Sequence, residues 1–272
     1  MRFRPLHAAF VPLVLLACSG DSTGGGGASQ VRIRFSVPSA PRADVVTTAA
    51  TAGMLDTPLV VTGSNGTLTI TRIVMVVSKF ALKGEHDCVR ADSTHQEHGE
   101  HERDCRFRGK PFLLDLPLGG GDVSVATDAV PAGTYDELKF KVRDLHEDAD
   151  DDDDAHEQAG LAEVRAALKQ AFPDVPDAAS MVVTGTFTPT GGTAKPFTTY
   201  FRAEVEVEMP IDPPLVVPAG GGSPTVTVHL DPTRWFERSS DRVLDLSAFD
   251  GRLLPFEADM HVGFERCDHD RD

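Results

Sequence analysis

Three histidines, His95, His98 and His101, stand three residues apart among Glu97, Glu100 and Glu102 in residues 85–104, EHDCVRADSTHQEHGEHERD. Imidazole nitrogens mixed with carboxylate oxygens suit zinc, copper or nickel. On a helix that spacing would put the histidines on one side, but Gly99 argues against a stable helix. A solvated polar hairpin is the competing reading. Cys88 and Cys105 bracket the histidines, and in an oxidising compartment they are expected to pair as a disulfide. Closing a loop of that length stabilises by about 3 kcal/mol in the chain-entropy account. A second oxygen-rich stretch, residues 146–157 (HEDADDDDDAHE), offers Asp150, Asp152 and Asp154 as calcium ligands. Calcium takes six to eight oxygens, yet the run lacks the glycine and the spaced terminal Glu of the calcium-binding helix-loop-helix loop. A self-repelling mobile loop that attracts cations nonspecifically is the alternative. Cys267, beside His269, is left over as a free thiol, an intermolecular bridge or a competing partner for Cys88 or Cys105.

Signals for an enzyme are missing. The chain has no Gly-x-Ser-x-Gly elbow, phosphate-cradling loop, dinucleotide fingerprint or His-Glu-x-x-His pair. Glu204, Glu206 and Glu208 fit cross-strand pairing with Lys139, Lys141 or the arginines of the first strand better than acid–base work. No cofactor is required by any motif. The formal charge of −16, from 42 acidic and 26 basic residues, disfavours nucleic acid and anionic headgroups and permits divalent cations and cationic partners.

The first residues carry an address. Arg2 and Arg4 precede an apolar stretch that ends in Leu15-Leu16-Ala17-Cys18. The stretch is too short to span a bilayer and reads as an export signal. Its ending resembles the bacterial lipobox, which implies cleavage before Cys18 and acylation of its thiol; stable attachment needs more than one acyl chain. Ser19 after the cysteine favours the outer membrane by similarity to known sorting. The expected organisation is therefore a signal peptide over 1–17 and a lipidated Gly/Ser tether over 18–30. One domain follows over 31–265, with a Cys-closed insertion at 84–110, an acidic loop at 146–157 and a helix at 158–172. Residues 266–272 are expected as a flexible tail.

The domain that must position these groups shows period-two patterning. Leu138, Phe140 and Val142 alternate with Glu137, Lys139 and Lys141. Alternation runs unbroken from Phe197 through Met209, and again through residues 31–37, 226–230 and 256–264. In residues 67–83 the even positions Leu68, Ile70, Val74, Val76, Phe80 and Leu82 are apolar, with Ile73, Met75 and Val77 filling the opposite face mid-strand, which predicts a strand covered on both sides there. Leu161, Val164, Leu168 and Phe172 follow helical spacing up to Pro173. Asp231-Pro232-Thr233 predicts a capped turn. Short strands, many Gly/Pro turns and one helix predict a mainly β, antiparallel two-layer sandwich. An open barrel plugged by the helix is the alternative.

The order of a long hydrophobic strand, a Cys-bearing insertion, Phe112-Leu113-Leu114-Asp115-Leu116 and Val130-Pro131-Ala132-Gly133-Thr134-Tyr135 resembles bacterial envelope lipoproteins with an immunoglobulin- or transthyretin-like domain of unknown function. Leu230-Asp231-Pro232-Thr233-Arg234-Trp235-Phe236 is similar to a segment of methanobactin-operon partner proteins, which implies a periplasmic setting and a link to copper. These resemblances imply a lipid-anchored binding or structural module with a protein or glycan partner, held to the membrane by its N-terminal lipid. The alternative expectation is a divalent-metal-binding lipoprotein that uses the His/Glu insertion and the Asp run.

Overall fold

In the computed structural model the described residues are 29–37, 57–84, 105–119, 121–143, 155–239, 241–256 and 264–269. The first strands are β1 (Ser29–Val37), β2 (Leu59–Gly63), β3 (Gly66–Gly84), β4 (Cys105–Gly109) and β5 (Phe112–Asp115). β6 (Gly121–Val130) and β7 (Gly133–Val142) precede the helix α1 (Ala155–Ala171). β8 (Met181–Pro189), β9 (Lys195–Ala203), β10 (Val205–Val217) and β11 (Thr225–Leu230) follow. The chain then forms β12 (Glu237–Ser239), β13 (Arg242–Val243), β14 (Leu253–Phe256) and β15 (Phe264–His269).

β3 organises the sheet. Its first half pairs with β2 and β8, and its second half with β4, β5 and β7. Two register shifts interrupt it, one at Thr71 and one at Ser78. Each extra residue reverses which face the following side chains occupy. Leu68, Ile70, Ile73, Met75, Val77, Phe80 and Leu82 therefore all reach the main core, while Val74 and Val76 face the other way. The even-position reading holds at both ends of the strand and inverts between the two bulges. The bulged residues are hydroxylic: Thr71 Oγ1 donates to Thr184 O at 3.2 Å and Ser78 Oγ to Lys141 O at 3.2 Å.

The unbroken alternation over 197–209 hides a change of partner. Phe197 to Met209 bury their alternate side chains as expected, but β9 pairs with β8 whereas β10 pairs with β7. β3 makes the same switch, so both strands turn a corner of the sheet. Ser180, fully buried, repairs the backbone there. Its Oγ accepts from Ala203 N (2.6 Å) and donates to Ala203 O (2.9 Å), its N–H donates to Phe201 O (2.8 Å), and its carbonyl accepts from Val76 N (2.8 Å).

The main sheet runs β14-β9-β8-β3-β7-β10-β15-β11-β1-β6. It curls: the Phe35 ring of β1 lies 6.0 Å from Phe112 and 6.1 Å from Phe140, on strands remote from β1 in the sheet order. The expected purely antiparallel arrangement is corrected, because β1–β11, β10–β15 and β14–β9 are parallel. Side-chain alternation is the same in either direction, so the sequence pattern carries no information on strand polarity. α1 packs Val164 and Leu168 on Val74, Val76 and Val182, outside the main core, and does not plug an end. It begins at Ala155 rather than 158, taking the last residues of the expected acidic loop, since Ala155, Glu157 and Gln158 are good helix formers. Ser29 and Gln30, expected in the tether, belong to β1. Of the strand expected over 256–264, Phe256 closes β14 and Phe264 opens β15, and 257–263 lie outside the described residues; residues 266–269, expected as tail, pair with β11 and β10.

Candidate functional site

The outward face of β4, β3, β7 and β10 is a grid of charges set by register. Arg106, Lys83, Glu137 and Pro210 form one row, and Arg108, Ala81, Lys139 and Glu208 the next. Lys79, Lys141 and Glu206 form a third. The inward residues between them, Phe80, Leu82, Phe107, Leu138 and Phe140, are core, which forces every charge outward. Lys83 binds Glu137 and reaches Glu208 at 3.4 Å. Lys139 binds Glu206 and lies 2.8 Å from Glu208, and Lys141 lies 3.9 Å from Glu206. The expected pairing of Glu206 and Glu208 with Lys139 and Lys141 is present, and Lys83 joins it. Glu204 lies 3.6 Å from Arg202 instead.

These contacts fix the charge states. Hydrogen bonding to Lys139 holds both the Glu206 and Glu208 carboxyls below the usual range. Hydrogen bonds from Lys83 to Glu137 and from Lys139 to Glu206 raise the two ammonium groups above theirs. All four groups stay ionised across neutral pH, so none is tuned to exchange a proton there.

At the end of β3 the grid opens into a cleft of about 800 Å³. Lys83, Arg106, Asp136, Glu137, Glu208 and Asp212 supply its charges, and Met209, Pro210, Ile211 and Pro214 its apolar wall. Gly84 lets the β3 backbone pass close to β7, because a Cβ there would lie 1.9 Å from Thr134 O. Next to it, Tyr135 is fully buried and donates its hydroxyl to Pro131 O at 2.9 Å. Burial pushes its phenol up to about 12.

The expected metal ligands His95, Glu97, His98, His101, Asp150, Asp152 and Asp154 lie outside the described residues, as do the lipidation site Cys18 and the disulfide half Cys88. Cys105 opens β4 opposite Gly84, so the two ends of the insertion meet at the cleft. Cys267 lies on β15 opposite Ile211, another cleft residue. Among the described residues no group of three or more His, Cys, Asp or Glu is placed to hold a metal. Sequence reasoning passed over Lys83, Arg106, Asp136 and Asp212. The available signal was the outward parity of Lys83 and Arg106 on either side of the insertion. It also passed over the β2–β3 hairpin, whose Asn65-Gly66 is a turn signature; Asn65 clasps Val243 through both amide atoms (2.9 and 3.0 Å). No protein-family model, curated protein or solved structure matches this chain.

Proposed function

We propose that this chain is a non-enzymatic, lipid-anchored protein of the bacterial envelope, sorted to the outer membrane. In this reading an immunoglobulin- or transthyretin-like sandwich presents a cleft to a protein or glycan partner. The carrying observation is the cleft itself, where the ion pairs of Lys83 with Glu137 and Glu208 are preorganised on rigid strands and hold Lys83 and Glu208 ionised. Preorganised charge favours binding over proton transfer. The sandwich reading is supported by the Tyr135 hydroxyl bonded back to Pro131 O, the corner typical of such domains, and by the ring contacts across the curled sheet. Anchoring rests on Cys18 and is checked separately: Cys18→Ser should move the protein from the membrane to the soluble fraction.

The binding reading is tested by NMR titration of the unlipidated Cys18→Ser chain with peptide and oligosaccharide panels. Shifts clustered on Lys83, Glu137, Glu208 and Met209 are expected, and a cleft that no polar ligand perturbs would overturn it. A second reading, divalent metal binding through His95, His98 and His101, draws support from the meeting of the insertion's ends at Gly84 and Cys105 beside a carboxylate-rich cleft. Calorimetric titration with zinc, copper and calcium decides it.

A further inference from the structure

The local charge beside the cleft is opposite to that of the whole chain. The molecule carries −16, yet the outward grid on β4, β3, β7 and β10 sets six cations against three carboxylates. The excess lies on the β4 side. Arg106 and Arg108 are exposed and, among the described residues, make no ion pair, whereas Lys83 and Lys139 are engaged with Glu137, Glu206 and Glu208. Residues two apart on a strand lie about 6.8 Å apart on one face, which is also the side-chain repeat of any extended polypeptide laid along it. An extended segment with acidic residues at alternate positions would therefore meet Arg106 and Arg108 in register, and arginine favours bidentate carboxylate contacts.

We infer that the Arg106–Arg108 column, beside the cleft, binds an extended, carboxylate-rich polypeptide segment of a partner. This rests on the binding-module reading above and narrows it to one partner class. A planar anionic membrane is the poorer fit. It would meet the net charge of the whole molecule, while one extended acidic strand covers only the cationic column. The cleft lining offers no aromatic ring on which a sugar could stack.

The test uses the full chain carrying Cys18→Ser and fluorescently labelled peptides of eight residues, alternating Glu-Thr, Gln-Thr or Lys-Thr, followed by anisotropy. Only the Glu-Thr peptide is expected to bind. Its affinity should fall about tenfold or more in Arg106→Glu/Arg108→Glu, stay unchanged in Lys195→Glu, and weaken as salt rises from about 20 to 150 mM. Thermal melts of the double variant should match the parent, since neither arginine is in the core. Absence of Glu-Thr binding, binding unmoved by the double charge reversal, or reversal-sensitive binding to phosphatidylglycerol vesicles would each overturn the inference. If a Gln-Thr or Lys-Thr peptide perturbs the cleft while the Glu-Thr peptide does not, the partner class falls and the binding-module reading stands.

Discussion

Single atoms at the turn into β7 decide how that strand is held. The Tyr135 hydroxyl donates to Pro131 O in a fully buried site, which a phenylalanine cannot do. Tyr135→Phe leaves that carbonyl without its donor and should cost about 1–2 kcal/mol in urea unfolding. The pH dependence follows from the direction of the shift. A phenol raised to about 12 when folded, against about 10 when unfolded, contributes stability that is complete below pH 10 and drains away as pH rises toward 12. The parent should therefore lose stability over that interval in excess of Tyr135→Phe, and parallel profiles for the two proteins would contradict this account. Gly84 is a second such position. A methyl group meeting the Thr134 carbonyl oxygen at 1.9 Å must displace backbone, so Gly84→Ala should lower the melting temperature by several degrees and disturb the cleft it lines.

Strands carry the next level of the argument, and β3 most of it. Deleting Ser78 would remove one bulge and leave Lys79 opposite Lys141 and Phe80 opposite Phe140 in a regular ladder, so Phe80 and Leu82 keep their places in the core. The deletion should therefore keep a cooperative melt, and Ser78→Ala, which loses only the hydroxyl's bond to Lys141 O, should cost about 1 kcal/mol. The ion ladder between β7 and β10 is a smaller matter. Glu206, lowered by Lys139, contributes above the unfolded carboxylate range and loses its contribution as pH falls through its depressed value. Lys139, raised by Glu206, contributes below its unfolded value near 10.4 and loses it as pH rises beyond. Because both side chains are partly exposed, Glu206→Gln should cost at most about 1 kcal/mol at pH 7 and close to nothing at pH 3. The strands themselves were legible, since alternation at Leu138, Phe140, Val205 and Val207 reports burial directly. Polarity, partner exchange at Ala203 and the inverted stretch of β3 were not. Each depends on hydrogen bonds between distant segments that leave side-chain alternation intact. The cleft was hidden for the same reason: Lys83, Glu137 and Glu208 are far apart in the chain and become neighbours only through register.

At the scale of the molecule, sheet order constrains chemistry that local spacing leaves open. Cys105 sits on β4 and Cys267 on β15, with β3, β7 and β10 between them. Along the sheet that is about four strand spacings, near 19 Å, and even a sheet folded back on itself keeps its layers about 10 Å apart. A disulfide needs Cα atoms within about 7 Å. Cys105 and Cys267 therefore cannot join while both strands hold this register, which leaves Cys88 as the expected partner of Cys105 when Cys18 is acylated as proposed. Proteolysis of the exported protein under non-reducing conditions should yield a peptide linking Cys88 to Cys105, with Cys267 recovered apart from it. Reduction should then lower stability by about 3 kcal/mol, the loop-closure contribution for that span, and leave the pairing of β15 with β10 and β11 in place. A recovered Cys105–Cys267 link would mean that β15 does not lie between β10 and β11. The cleft, which takes Ile211 from the strand beside it, would then have to be rebuilt with a different wall.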